Sequence, residues 1–185
     1  MKRILTISII VFATLYWASC GCESYVARYT FDDADIEILD QLDYNEDSTA
    51  TVETEWRPCN GLALGNSIKV GVNFLYVFTP EIDHEQCQPD YIEFRDSVKS
   101  FDIKAVYPLE GIAAEASVLE AGGFTKAMKD SLLNHMNSPL YPSNGAVYIT
   151  LDKKPLEEKV QFRLEVVKAN NRNNYQILSE EIIWR

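Results

Sequence analysis

Three oxygen-bearing side chains alternate along the acidic segment at residues 43–47. Asp43, Asn45 and Asp47 have the spacing of the first three ligands of a calcium-binding loop, in which carboxylate and amide oxygens hold the ion. Ser48 stands where that loop has its turn glycine, and Thr54 stands where it has its closing glutamate. Two interpretations stay open: a low-affinity Ca²⁺ site, or a solvated acidic loop between two strands. We expect no other cofactor.

No catalytic motif accompanies the carboxylates. The chain has no nucleophile elbow, phosphate-binding loop, zinc-binding helix motif or dinucleotide fingerprint, and its two histidines are His84 and His135. We therefore expect a protein that is not an enzyme. The alternative is a small hydrolase, or an accessory subunit of one, that uses paired carboxylates as acid and base.

The first nineteen residues have the layout of a secretory signal peptide. Lys2 and Arg3 precede an uncharged apolar run over residues 4–17, and two small residues follow. The run is shorter than the roughly 20 residues needed to cross a ~30 Å hydrocarbon core. We expect residues 1–19 to be removed on export.

The small residues before Cys20 resemble the lipobox of bacterial lipoproteins that signal peptidase II cleaves. The resemblance implies cleavage before Cys20, which then carries a diacylglycerol thioether and usually a third acyl chain. Trp17 departs from the usual aliphatic residue, and Cys22 is the alternative lipidation site. Because a second acyl chain converts marginal binding into stable anchoring, we expect residues 20–31 to tether the protein to the outer membrane, facing the periplasm or the cell exterior. The competing interpretation is an ordinary signal peptide with both cysteines free or bridged.

Export would place Cys59 and Cys87 in an oxidising compartment, where they are the natural disulfide pair if Cys20 is lipidated. The bridge would close a loop of about 29 residues and stabilise the fold by about 3.5 kcal/mol in the chain-entropy model. Free thiols are one alternative. The other is a metal site in which His84 and Cys87, three residues apart, join Cys59.

Size and charge restrict the partners. Cleavage before Cys20 would leave 166 of the 185 residues, enough for one domain over residues 32–185. It would also remove two basic residues and no acidic one, so the formal net charge would change from −11 to −13. Such a chain repels nucleic acid and anionic headgroups. We expect no nucleic-acid partner, and membrane contact only through the lipid anchor.

Alternation of apolar and polar residues predicts seven or eight strands. The strongest predicted strand covers residues 68–78. Its second face becomes apolar at Leu75 and Val77, which predicts that this end of the strand is buried between two sheets. One helix is predicted over residues 125–136 with Thr125 as its cap, and residues 160–184 are predicted to form a hairpin. Strands that follow one another without helical crossovers favour antiparallel pairing, so we predict a mainly β, antiparallel β-sandwich with one short helix.

This layout resembles the small immunoglobulin-like lipoproteins of Bacteroidota, in its final hairpin and in the Leu-x-x-x-Pro step from Leu151 to Pro155. The resemblance implies an immunoglobulin-like sandwich. Three triplets consist of Asp, then Ser, then either Thr or an apolar residue, and they are similar to the O-glycosylation sequence of that group. The resemblance makes Ser48, Ser97 and Ser131 glycosylation candidates.

The expected function is that of a non-enzymatic envelope lipoprotein that binds a protein or a glycan. An exposed tryptophan or tyrosine on a flat sheet face would favour a glycan. A concave site with converging carboxylates would favour the hydrolase alternative. An exposed apolar groove or an unpaired edge strand would favour a third role, that of a structural or fimbria-type component.

The Cys20→Ala substitution tests the lipid anchor. Without the thioether the protein should leave the membrane fraction for the soluble fraction, because the acyl chains supply its membrane affinity. Cell fractionation followed by immunoblotting measures the change, with Cys22→Ala as the matched control that stays membrane-bound. Unchanged retention of the Cys20→Ala variant would contradict anchoring through Cys20.

Overall fold

The computed structural model describes residues 26–44, 53–79, 91–138, 144–169 and 174–185. Within these ranges the chain forms the following strands and helix: β1 (Val26–Tyr44), β2 (Glu53–Pro58), β3 (Leu62–Ala63), β4 (Ile68–Thr79), β5 (Tyr91–Asp96), β6 (Val98–Ala105), α1 (Lys126–Met136), β7 (Gly145–Leu151), β8 (Lys159–Val160), β9 (Phe162–Lys168), β10 (Tyr175–Leu178) and β11 (Ile182–Trp184). No helix in the described ranges has the length and apolar character needed to span a membrane.

Strand β1 organises the largest sheet because three other strands pair with it. β4 pairs antiparallel with β1 over residues 28–40, and β7 pairs with the far edge of β4. On the opposite edge of β1, β5 pairs in parallel with the first part of the strand and β2 antiparallel with the last six residues. We call this five-stranded sheet sheet A.

A bulge at Asp32 changes which residues of β1 face the core. The register with β4 passes from Phe31 directly to Asp33, so Asp32 has no residue opposite it. Phe31 and Ala34 are each 1% exposed, whereas both aspartates between them are exposed. The predicted tether is therefore too long at its end: residues 26–31 belong to sheet A, and β1 is a single strand of 19 residues.

Two three-stranded sheets complete the described fold. Sheet B has the order β10–β9–β6 and is antiparallel. Sheet C has the order β3–β11–β8, in which β11 pairs in parallel with β3. Together with the β1–β5 pair, this means that the predicted antiparallel pairing holds for most strands and not for all of them.

The final predicted hairpin divides between two sheets. β9 and β10 pair as predicted, but the chain then leaves sheet B and β11 joins sheet C. Ser179 marks the departure: it is 4% exposed, and its hydroxyl accepts a hydrogen bond from the Phe162 N–H at 3.0 Å. The side chain thus takes the place of a backbone partner where the ladder ends.

Sheets A and B pack face to face around one core. Phe74 of β4 and Phe101 of β6 lie 5.0 Å apart between ring centroids, and Phe31 of β1 and Tyr175 of β10 lie 6.0 Å apart. The fold is mainly β with one short helix in the described ranges, which confirms the predicted class and is consistent with a β-sandwich. The immunoglobulin-like assignment stays a prediction.

The predicted helix is confirmed, and so is its cap. α1 covers Lys126–Met136, and the Thr125 side chain accepts a hydrogen bond from the Met128 N–H.

The prediction for the end of β4 is wrong. Leu75 and Val77 are 40% and 41% exposed, so the second face of that strand stays outside the core.

A buried carboxylate joins β1 to the turn after β3. Asp40 is 7% exposed and accepts hydrogen bonds from the backbone N–H groups of Leu64 and Gly65, both at 3.0 Å. The Gly65 carbonyl accepts hydrogen bonds from Trp184 Nε1 and Lys154 Nζ, both at 2.8 Å. Three distant parts of the chain therefore meet at one turn.

The Asp40→Ala substitution should lower the free energy of unfolding by about 2 kcal/mol, because two backbone N–H groups lose their acceptor. Denaturant unfolding followed by tryptophan fluorescence measures the loss. Asp152→Ala is the matched control, since the Asp152 side chain is 71% exposed and its removal should change stability by less than about 0.5 kcal/mol. Equal losses in the two variants would contradict a structural role for the buried carboxylate.

Candidate functional site

Several predicted site residues lie outside the described ranges: Cys20, Cys22, Asn45, Asp47, Ser48 and Cys87. Asp43 lies near the end of β1, opposite Thr54 of β2. Lipidation, the Ca²⁺ site and glycosylation at Ser48 therefore stay predictions. Within the described ranges, no group of three or more His, Cys, Asp or Glu side chains is arranged to hold a metal ion.

The other two glycosylation candidates differ in accessibility. Ser131 is exposed on α1, whereas Ser97 is half-buried between β5 and β6. The Ser97 carbonyl also accepts a hydrogen bond from the Ala169 N–H at 2.8 Å. A modifying enzyme would reach Ser131 more readily, and modification of either residue stays a prediction.

Cys59 is a buried residue directly after β2. It is 7% exposed, and its N–H donates to the Ile38 carbonyl at 2.8 Å. Burial, together with the nearby carboxylates of Asp40 and Glu180, raises the pKa of its thiol to about 12. A thiol with so high a pKa is a poor nucleophile and a poor metal ligand. No disulfide is seen in the described ranges, and since Cys87 lies outside them, the bridge stays a prediction.

The face of sheet A that points away from the core presents an exposed aromatic ring. Glu37, Gly71 and Tyr148 lie side by side on β1, β4 and β7, in one row across the sheet. Tyr148 is 52% exposed, while its neighbours Val147 and Ile149, which point to the other side, are each 1% exposed. The sheet thus fixes the direction of the tyrosine.

Gly71 leaves room for the Tyr148 side chain to lie across β4. A Cβ atom at Gly71 would lie 2.8 Å from Tyr148 Cε1 and 3.1 Å from Glu37 Oε1. The ring and the carboxylate therefore approach the same point above the glycine from opposite strands. A cross-strand aromatic of this kind compensates for the weak packing of a strand glycine, and the remaining half of the ring stays accessible.

The rows on either side of this one each carry polar side chains on β4. Asn73 Nδ2 donates to Asp35 Oδ1 at 2.9 Å, and both residues pair across β4 and β1. In the other direction, Lys69 Nζ lies 4.1 Å from the centroid of the half-buried Trp56 ring. We call the following set of residues the Tyr148 surface: Asp35, Glu37, Lys69, Gly71, Asn73 and Tyr148.

A groove of about 490 Å³ between β6 and α1 is the second candidate site. Three carboxylates line it, those of Asp102, Glu120 and Asp130. Asp102 Oδ1 already accepts hydrogen bonds from Ser117 Oγ at 2.6 Å and from the Ile103 N–H at 2.9 Å. The groove has the carboxylates that the hydrolase alternative requires, but no histidine is among its described lining residues, so it does not form a Ser–His–Asp arrangement.

No match to this chain is found among protein-family models, curated proteins or solved structures. A functional assignment therefore depends on the geometry of the chain itself.

Sequence reasoning did not single out Tyr148. Tyr148 lies on β7, where the alternation of residues 146–151 already separates it from the buried Val147 and Ile149. The available signal was a large aromatic side chain on the outward phase, between Ala146 and Thr150. Its position beside Gly71 and Glu37 depends on the register of three strands, which no local pattern contains.

The predicted disulfide is tested by counting thiols in the denatured mature protein without a reductant. Native alkylation at pH 8 cannot count them, because burial and the raised pKa keep Cys59 protonated and unreactive. We expect no alkylation of Cys59 or Cys87 in guanidinium chloride until a reductant is added, as measured by intact mass and peptide mapping. The control Cys59→Ser should leave Cys87 reactive, and labelling of both cysteines without reductant would rule out the bridge.

Proposed function

We propose that this chain is a non-enzymatic lipoprotein of the cell envelope that acts as a binding module, with the Tyr148 surface as its binding site. The observation that supports this most directly is the half-exposed Tyr148 ring above Gly71, next to the Glu37 carboxylate. Aromatic side chains are enriched in binding surfaces because they offer a large contact area and lose little conformational entropy.

The position of the surface suits an anchored protein. Glu37 lies eleven residues beyond Val26, the first residue of β1, and an extended strand rises about 3.3 Å per residue. The Tyr148 surface is therefore about 35 Å along the strand from the point where the predicted tether enters the fold.

The edge of β7 supports the structural alternative. Within the described ranges β7 pairs only with β4, and the strand Gly145–Leu151 contains no charged residue and no proline. Charges and prolines are what usually protect an edge strand from pairing with another chain. A fimbria-type component would use this edge, whereas a binding module would use the exposed sheet face beside it.

The Tyr148→Ala substitution tests the binding site. Immobilised mature protein is incubated with solubilised native envelope, and the captured material is quantified as both protein and carbohydrate. We expect Tyr148→Ala to reduce specific capture at least tenfold, because the ring supplies the main apolar contact. Leu178→Ala on β10 is the matched control, since that residue is 54% exposed on another sheet. Equal capture by the wild type and Tyr148→Ala would reject the site, and assembly into polymers independent of Tyr148 would favour the structural alternative.

A further inference from the structure

We propose that the Tyr148 surface binds a neutral carbohydrate, with one sugar ring stacked on Tyr148 and its hydroxyl groups donating hydrogen bonds to Glu37. This inference rests on the proposed function and specifies its ligand. It is carried by the geometry of the ring, by the chemistry of the adjacent polar groups and by the sign of the charge around them.

The geometry of Tyr148 suits a flat ligand with an apolar face. The side chain reaches across Gly71 instead of rising among other large residues, and its outward neighbours on β7 are the short Ala146 and Thr150. A pyranose ring has a face of C–H groups with weakly positive hydrogens, and the face of an aromatic ring is negative. Contact between the two faces buries apolar surface on both sides.

The polar groups next to the ring are hydrogen-bond acceptors. In the described ranges no hydrogen bond or ion pair uses the Glu37 carboxylate, and an ionised carboxylate offers two acceptor oxygens and no donor. Asp35 and Asn73 hold each other through one hydrogen bond, which leaves Asp35 Oδ2 and Asn73 Oδ1 as further acceptors. Sugar hydroxyls are the complementary donors, and hydrogen bonds to a charged acceptor are the stronger kind.

The charge of the surface excludes anionic ligands. Asp35 and Glu37 lie on the outward phase of β1, whereas the Asp33 carboxylate accepts a hydrogen bond from the Tyr175 hydroxyl of sheet B. The whole chain has a formal net charge of −11. Lys69 is held over the Trp56 ring and lies on the other side of Gly71 from Asn73. Uronate, sulfate and phosphate groups would meet the like charge of Asp35 and Glu37 here, whereas a neutral carbohydrate would not.

A protein partner fits the same surface less well. A stable protein interface buries about 800 Å² on each partner and usually has a dry apolar centre. The outward residues directly beside Tyr148 are Gly71, Ala146 and Thr150. Leu75 and Val77, 40% and 41% exposed, lie further along β4, and the half-buried Trp56 ring lies under Lys69. This pattern provides the stacking platform and acceptors of a sugar site, with an area closer to that of one or two sugar units.

Affinity electrophoresis tests the inference with defined probes. The mature protein is run in native gels that contain a neutral β-glucan, arabinoxylan, α-mannan or dextran, or the anionic polygalacturonate or chondroitin sulfate. We expect retardation by at least one neutral polysaccharide and by neither anionic one. Polymers are chosen because repeated sites compensate for weak single contacts.

Three variants and a control separate the roles of the residues. Tyr148→Ala should weaken the retarding interaction at least tenfold, whereas Tyr148→Phe should keep it within about twofold because the stacking face remains. Gly71→Ala should weaken it several-fold without removing any contacting group, since its Cβ would displace the ring and the carboxylate. Leu178→Ala should bind like the wild type, and circular dichroism and thermal unfolding confirm that each variant is folded.

The outcomes distinguish this inference from the proposed function. Retardation by no neutral polysaccharide in the panel, by the anionic ones alone, or equally in Tyr148→Ala would overturn the neutral-carbohydrate inference. If capture of envelope protein still depended on Tyr148 in that case, the binding module would stand with a protein as its partner. If neither polysaccharide retardation nor capture of envelope protein depended on Tyr148, the Tyr148 surface would be rejected as a binding site.

Discussion

The Asp40 carboxylate is withdrawn from water at the end of β1, and two backbone N–H groups of the turn after β3 replace its hydration at 3.0 Å. On the other side of that turn, Trp184 and Lys154 bind the Gly65 carbonyl, and burial lowers the pKa of Lys154. Strand β11 pairs with β3 through only two residue pairs, which alone would be weak. These partly buried hydrogen bonds therefore add to the β8 pairing and to the burial of Ile182 and Trp184 in holding β11 in place.

The same long strand also positions the candidate site. If the alternation of β1 continued unchanged from the buried Phe31, the odd-numbered residues after it would point into the core. The extra residue at Asp32 reverses that phase, so Ile38 is buried and Glu37 lies on the outer face next to Gly71. A β-bulge commonly redirects side chains in this way, and here it places the acceptor carboxylate beside the aromatic ring.

The two candidate sites differ in what accompanies their carboxylates. In the groove beside α1, Asp102 is occupied by hydrogen bonds from Ser117 and Ile103. On the Tyr148 surface, the Glu37 carboxylate is used by no described neighbour. The groove carboxylates of Glu120 and Asp130 likewise have no hydrogen bond or ion pair with a described residue, so the Tyr148 surface is distinguished by the half-exposed ring beside its carboxylate.

Local sequence patterns were sufficient for the elements that bury one face or cap one end. The alternation in β4 and β9 and the Thr125 cap of α1 predicted those elements, because burial and capping act over a few residues. The same patterns were insufficient where a residue's surroundings come from distant strands. The exposure of Leu75, the departure of β11 into a third sheet and the meeting of Tyr148 with Gly71 all depend on register. Register is set by long-range strand pairing, so the sequence alone determined the mainly β class and the longer amphipathic elements. Only the tertiary structure decided where short strands such as β3 and β8 form and which side chains meet.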